Sequence, residues 1–359
     1  MQVILGVIFH FIGGFASGSF YVPYKKVRGW HWENYWIVGG LFSWLIVPPI
    51  AAWLTVPNFT QIISQADAST FWWTYFWGVL WGVGGLMYGL GMRYLGMSLG
   101  NSVLLGFTSA FGALVPSIYY NFHPTVGKTT FNDLLSTSWG RIVLVGVVLC
   151  LLGIYICGRA GVMKERELPD EKKKESVKEF SLVKGLVVCI ISGILSACFN
   201  YGIEAGSQMA EAANQLWKTA HPSASINFLY RNNVTYVVLL WGGLTTNFVW
   251  CMILNAHNKS FGDYTNSKVN LARNYFFSAL AGTTWFLQFF FYGMGESKLG
   301  NGASSWILHM AFIILVANMW GFALKEWNGV TTNTKTTIII GVITIILSVA
   351  LVGYGNALK

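Results

Sequence analysis

The chain has 359 residues, of which 54% are hydrophobic and only 10% charged, with a net charge of +9 and a mean hydropathy of +0.52. A water-soluble domain carries about 25% charged residues to hydrate its surface, so a soluble multidomain architecture is excluded. The basic residues sit in one linker and at segment ends, not along an aromatic-lined face, so the charge reports membrane orientation and not nucleic-acid binding.

A helix crosses a bilayer with about 20 mostly apolar residues. Such runs occur at Val3–Val22, Tyr35–Val56, Phe71–Met92, Ser98–Tyr120 and Trp139–Gly158. After a charged stretch come Leu182–Ile203, Asn232–Leu254, Asn274–Met294, Gly302–Ala323 and Thr336–Asn356. These ten segments lack strict alternation, which excludes barrel strands and predicts an all-α integral membrane protein with ten transmembrane helices. Loops following the odd-numbered segments hold 17 of the 23 Lys and Arg, which puts them in the cytoplasm and both termini outside. Met1 leads directly into an apolar run with no basic region before it, so no cleavable signal peptide is expected. The five cysteines lie in apolar runs without zinc or disulfide spacing and read as reduced, buried thiols.

The two halves repeat. Tyr88-Gly89-x-Gly91-x-x-x-Leu95-Gly96 recurs as Tyr292-Gly293-x-Gly295-x-x-x-Leu299-Gly300, an offset of 204. The first and sixth segments align at an offset of 179, pairing Gly6 with Gly185, Gly14 with Gly193, Ser17 with Ser196 and Phe20 with Phe199. The fifth and tenth align at 195, pairing Gly146 with Gly341 and Gly158 with Gly353. Five helices per half is an odd number, so the second half enters the membrane upside down. Inverted repeats with a midplane substrate site are the signature of secondary transporters. The expected division is residues 1–158 as the first five-helix repeat, 159–181 as a charged cytoplasmic linker and 182–359 as the second, inverted repeat. The linker reads as a solvated connector that fixes topology rather than a partner-binding tail.

No Walker loop, HExxH or CxxC motif is present and no loop is long enough for an aqueous active site, so the chain is not expected to be an enzyme. Chemistry must reside in the helices, where ionisable groups are costly and default to function. His10, mid-segment between Phe9 and Phe11, suits proton coupling or hydroxyl recognition, against the bland reading of a satisfied neutral imidazole. His309, in Trp306-Ile307-Leu308-His309-Met310, and Gln288 can bind hydroxyls or serve as interhelical glue. Glu204 follows Asn200 by four residues and shares its face; partly buried, it would suit carrying a proton, and otherwise it is an interfacial anion. Glu296 and Arg93 flank the repeated Tyr-Gly motif, Arg93 as a topological anchor, while Glu211 and Asp133 read as loop residues. Trp30, Trp32, Trp36, Trp72, Trp73 and Trp327, near segment ends, read as interfacial belt residues. Trp285 lies deeper, three residues before Gln288 on roughly the same face, where an indole beside polar groups fits a sugar ring, with core packing as the alternative.

The stretches Phe20-Tyr21-Val22-Pro23-Tyr24-Lys25-Lys26-Val27, Met92-Arg93-Tyr94-Leu95-Gly96-Met97-Ser98, Arg159-Ala160-Gly161-Val162-Met163-Lys164-Glu165-Arg166, Leu287-Gln288-Phe289-Phe290-Phe291-Tyr292 and Leu324-Lys325-Glu326-Trp327 resemble the bacterial L-rhamnose–proton symporter family of the drug/metabolite transporter superfamily. The likeness runs through both halves and the linker. It implies a ten-helix inverted-repeat fold in the bacterial inner membrane and proton-driven import of a 6-deoxyhexose. His10, Trp285, Gln288, Trp306 and His309 fall in matching segments, whereas Glu204 and the Glu296 region do not match the family's pattern and the stretch Glu204–Tyr230 is divergent. On this reading Trp285, Gln288, His309, Asn200 and Trp306 bind the sugar, His10 or Glu204 carries the proton, and the site lies between segments one, six, eight and nine. No cofactor or metal is implied; the coupling ion is H+, with Na+ as the alternative. The expected partners are a small sugar and the bilayer, with no nucleic acid, in a monomer or homodimer. An exporter of amphipathic compounds is the competing function, disfavoured by the lack of acidic residues in the first segment. A receptor without transport is the third, for which an inverted repeat has no use.

Overall fold

The computed structural model describes residues 2–122, 124, 129–169, 180–224, 227–299 and 302–358, and among these no residue is in a strand. The first half consists of α1 (Gln2–Ser19), α2 (Tyr21–Tyr24), α3 (Trp32–Gly40), α4 (Val47–Thr55), α5 (Phe59–Gln65), α6 (Ala68–Phe122), α7 (Phe131–Ser136) and α8 (Ser138–Glu167). The second consists of α9 (Leu182–Ser196), α10 (Cys198–Ala205), α11 (Ser207–Ala220), α12 (Asn233–Asn258), α13 (Leu271–Leu299), α14 (Gly302–Ala323) and α15 (Thr332–Ala357). Among the described residues, seven helical stretches, from Ile4–Tyr24 to Thr332–Gly355, are long and apolar enough to cross a membrane. All five cysteines are free and buried.

Helix α6 covers both the third and fourth expected segments in 55 residues. Its one break is Gly96, at φ 82° and ψ 177°, a left-handed conformation that costs a glycine little. The chain folds back there. Tyr88 Oη donates to Asn101 Oδ1 at 2.9 Å, and a Cβ on Gly100 would lie 3.4 Å from the Gly91 carbonyl oxygen. A straight helix would hold residues 88 and 101 roughly 20 Å apart. The amides freed at the break are satisfied by Glu326, whose carboxylate accepts from Met97 N at 3.0 Å and Ser98 N at 3.1 Å. An anion at a helix N-terminus also complements the helix dipole.

Between α3 and α4 the backbone widens into a π-helical turn over Leu41–Ile46. Its cause is the pair Pro48-Pro49: each lacks an N–H, and each ring would press on the carbonyl four residues earlier, at Trp44 and Leu45. The turn relieves that clash, and the buried Trp44 lies within it.

The chain packs as two compact units, Met1–Gly85 with Cys198–Gly300 and Leu86–Ala197 with Asn301–Lys359. Both draw on both halves of the sequence, so packing does not follow the order of the chain. In the first unit, backbones meet where side chains are missing. A Cβ on Gly282 would lie 2.0 Å from Gly39 O, and one on Gly78 would lie 2.0 Å from Leu239 O and 3.2 Å from Gly242 Cα. The same unit joins α1 to α13, where a Cβ on Gly6 would meet Leu299 Cγ at 2.8 Å and one on Gly295 would meet His10 Nε2 at 2.6 Å. In the second unit a Cβ on Gly185 would meet Leu95 Cγ at 2.4 Å and one on Gly91 would meet Cys189 Sγ at 2.6 Å. There too α8 and α15 cross at Gly146, 3.0 Å from Ser348 O, and Gly341, 3.2 Å from Gly153 O, both measured to a Cβ built on the glycine.

Several expectations are corrected. The charged linker does not begin at Arg159: α8 continues to Glu167, because Lys164 is buried, with its ammonium 4.9 Å over Trp327 and 5.3 Å over Phe180. Residues 170–179 of that linker lie outside the described residues. Glu211 belongs to α11, an amphipathic helix whose Met209 and Ala213 are buried with Val56, Ile62 and Phe228. Asp133 is in α7, where it completes a capping box with Thr130. Trp72 and Trp73 are exposed, as belt residues should be, but Trp30, Trp32, Trp36 and Trp327 are buried. Trp36 Nε1 donates to Asn247 Oδ1 at 2.9 Å, and its ring stacks on Trp32 at 5.0 Å, so partners inside the unit replace the headgroup region.

The backbone crossings predict a steric effect. Gly282→Ala forces α13 off α3 and lowers stability by about 1–3 kcal/mol, read as an earlier thermal unfolding in detergent. Gly158→Ala, at a glycine whose Cβ would meet nothing within 4 Å, leaves the transition unchanged or slightly raised.

Candidate functional site

The first unit holds five of the seven expected site residues: His10, Asn200, Glu204, Trp285 and Gln288. Trp285, on α13, is half-buried in a group of aromatic rings. Its ring lies 5.4 Å from Trp81 at 34°, 5.9 Å from Trp44 at 86°, 4.9 Å from Phe289 and 6.4 Å from Phe20. Phe199 stacks on Phe289 at 4.0 Å and lies 5.3 Å from Trp81. Trp44, Phe289 and Phe20 meet Trp285 edge-on, as ring quadrupoles favour, while Trp81 lies tilted against it. The rings converge from α6, α10, α13, the residue before α2 and the π-helical turn, so no single helix builds the cage. Trp44 is buried, and its indole N–H has no acceptor among the described residues.

The polar candidates differ in depth. Gln288 is buried one turn beyond Trp285. Asn200 is half-buried beside Phe199 in α10, and one turn on, Glu204 is exposed. His10 is fully buried against α13, its ring 5.5 Å from Tyr292 at 59° and directly over Gly295. The room for the imidazole exists only because residue 295 has no side chain. Trp306 and His309 are buried on α14 in the second unit, Trp306 Nε1 beside Gly112, where a Cβ would lie 3.3 Å away.

Sequence reasoning passed over Trp81 and Trp44. Trp81 precedes Trp285 by 204 residues, the offset of the Tyr-Gly repeat, so extending that alignment would have found it. Trp44 lies in the turn ahead of Pro48-Pro49, a signal that was available but silent about direction.

The profile of the family described as L-rhamnose-proton symport protein matches residues 1–358. The chain belongs to this family. It is 38% identical over 360 aligned positions to L-rhamnose-proton symporters of Yersinia pestis (strain Pestoides F) and Yersinia pseudotuberculosis serotype O:1b (strain IP 31758), covering 99% of this chain and 98% of each relative. Against a relative of the same name from Yersinia pestis bv. Antiqua (strain Antiqua) the identity is 37% with the same coverage. The family is one of multi-pass membrane transporters, not enzymes.

On the same unit, outside the apolar segments, Asp263 ties the Ser260–Thr265 turn to the start of α3. Its Oδ2 accepts from His31 N at 2.9 Å and Asn34 Nδ2 at 2.9 Å, and lies 2.8 Å from His31 Nδ1. Burial alone would raise its pKa, but the bonds and the nearby imidazole outweigh it and hold the carboxyl below its usual range. The contribution is complete above about pH 4, the ordinary aspartate value, and is lost as pH falls through the depressed value beneath it. Asp263→Asn therefore lowers stability at neutral pH by on the order of 1 kcal/mol, and the gap to the unsubstituted protein closes in acid, as measured by unfolding at a series of pH values.

Proposed function

We propose that this protein imports L-rhamnose together with a proton across the bacterial inner membrane by alternating access. The observation that carries the reading is the half-buried Trp285 in its ring of aromatics, beside the buried amide of Gln288, in a chain of this family. A 6-deoxyhexose has an apolar methyl and a face of C–H bonds, which suit indole and phenyl surfaces, and hydroxyls that need directed polar partners. Trp285 stacks the sugar, Gln288 and Asn200 hold hydroxyls, and the Trp44 indole N–H gives an acceptor oxygen its donor. An unpaired buried donor costs about 1–3 kcal/mol, so a ligand oxygen relieves a cost already present. His309 and Trp306, buried on α14, remain candidate sugar-binding residues.

The same proposal includes ten spans in two inverted repeats. Counting the two arms of α6 separately and adding α13 and α14, of 29 and 22 residues, brings the seven apolar stretches to ten. Equivalent residues make equivalent contacts, which supports the repeat. Gly295 over His10 corresponds to Gly91 over Cys189, since both partners are related by the offsets of 204 and 179. Gly6 with Leu299 corresponds in the same way to Gly185 with Leu95, and Gly146 with Ser348 corresponds, at 195, to Gly341 with Gly153. The basic loops favour both termini on the outer side.

His10 is the proposed proton carrier. Neutral or charged, it alters the contact between α1 and α13, and such a change drives transport only if the two conformations hold the proton with different affinity. Glu204, being exposed, is the weaker candidate.

The test is uptake of radiolabelled L-rhamnose into proteoliposomes with and without an inward proton gradient. Accumulation abolished by a protonophore is expected; no sugar uptake by folded protein under any gradient overturns the reading. Trp285→Ala raises KM about tenfold or more, the equivalent of about 1.4 kcal/mol of lost ring contact. His10→Ala removes accumulation, and accumulation that survives it removes His10 from the coupling role.

A further inference from the structure

At the outer end of α13, one turn past Tyr292, stands Glu296. Its side chain is 14% exposed, and its Oε1 lies 3.5 Å from Arg231 Nη2, with Asn232 Nδ2 donating to Oε2. The titratable groups about it are Arg231, Tyr236 and Tyr292, and the adjoining Gly295 carries His10. A carboxylate so placed in a lipid-embedded helix is costly and needs a reason.

The repeat supplies the comparison. At offsets of 204 and 179, Glu296 corresponds to Met92 and His10 to Cys189. One crossing therefore sets an imidazole and a carboxylate at neighbouring positions, and its counterpart sets a thiol and a thioether there. Packing accounts for both crossings equally and does not explain why one carries an imidazole and a carboxylate where the other has a thiol and a thioether.

We propose that Glu296 is a second proton-coupling residue, exchanging its pairing with Arg231 for the transported proton. This rests on the coupled-import reading above. A guanidinium does not give up its proton in this range, so when the carboxylate becomes a carboxylic acid the ion pair ends and Arg231 keeps its charge without a partner. Release of the proton restores the pair. The tie between the start of α12 and the end of α13 is thereby made or broken by one proton, beside the residue on which His10 rests.

Two assays on the full chain in phosphatidylethanolamine and phosphatidylglycerol vesicles separate coupling from binding. One is accumulation of radiolabelled L-rhamnose under an inward proton gradient, and the other is exchange of labelled for unlabelled L-rhamnose without a gradient. Glu296→Gln is expected to equilibrate the sugar and exchange it, but not to accumulate it, with an exchange rate that no longer follows external pH. Glu296→Asp keeps the acid and is expected to retain accumulation with a shifted pH profile, and it guards against a glutamine variant that fails to fold. Protonophore-sensitive accumulation by Glu296→Gln at the unsubstituted level overturns the proposal. So does a parallel loss of exchange and accumulation in both variants, which marks a structural role. Absence of accumulation by the unsubstituted protein overturns the underlying import reading instead.

Discussion

Everything described in the first unit depends on helices approaching until their backbones touch. Inside a bilayer the lipid tails are as apolar as the side chains, so burial gives helices little reason to associate, and close van der Waals packing must do so. At Gly39 with Gly282 and at Gly78 with Gly242 that contact is made by omission of side chains. The approach has a second effect. With the backbones this near, large rings a turn away on the same helices come within stacking distance of each other. Trp81 lies one turn from Gly78 and Trp285 three residues from Gly282, and the two indoles meet at 5.4 Å.

A repeated scaffold is symmetric in its packing, and vectorial transport needs something that is not. In the proposed reading the difference lies in a few side chains on positions matched by the offsets of 204 and 179. Glycine contacts that match keep the two crossings alike, while an imidazole in place of a thiol and a carboxylate in place of a thioether would make one of them responsive to protons. Changing chemistry without changing shape is the economical way to give such a fold a direction.

The helical, membrane-spanning character was legible because apolar runs of bilayer length are a strong signal, and seven described helical stretches answer to it; the matched glycine spacing belongs to the proposed repeat. What was not legible required knowing which face met which neighbour. Trp30, Trp32 and Trp36 stand at segment ends, where an indole normally seeks the headgroups, yet Asn247 and the stacked rings capture them inside the unit. Glu204 lies one turn from Asn200, yet Asn200 is half-buried and Glu204 exposed, a difference that spacing along a helix does not carry. Helix α11 escaped notice because its mean composition is polar, and only its buried Met209 and Ala213 stripe reveals a packed face. Lys164 read as linker because its charge outweighed the aromatic rings that shelter it.

The reversal at Gly96 has a consequence for how this chain can vary. Connections between helices usually absorb insertions, since they are exposed and loosely held. This one has no spare residue. Adding one after Gly96 would rotate the following arm by about 100°, drawing the Met97 and Ser98 amides away from Glu326 and the Ser98 hydroxyl away from Asn318, its acceptor at 2.5 Å. The joint is a weld rather than a hinge: fixed in chain length, and held shut by an acid that arrives from more than two hundred residues downstream.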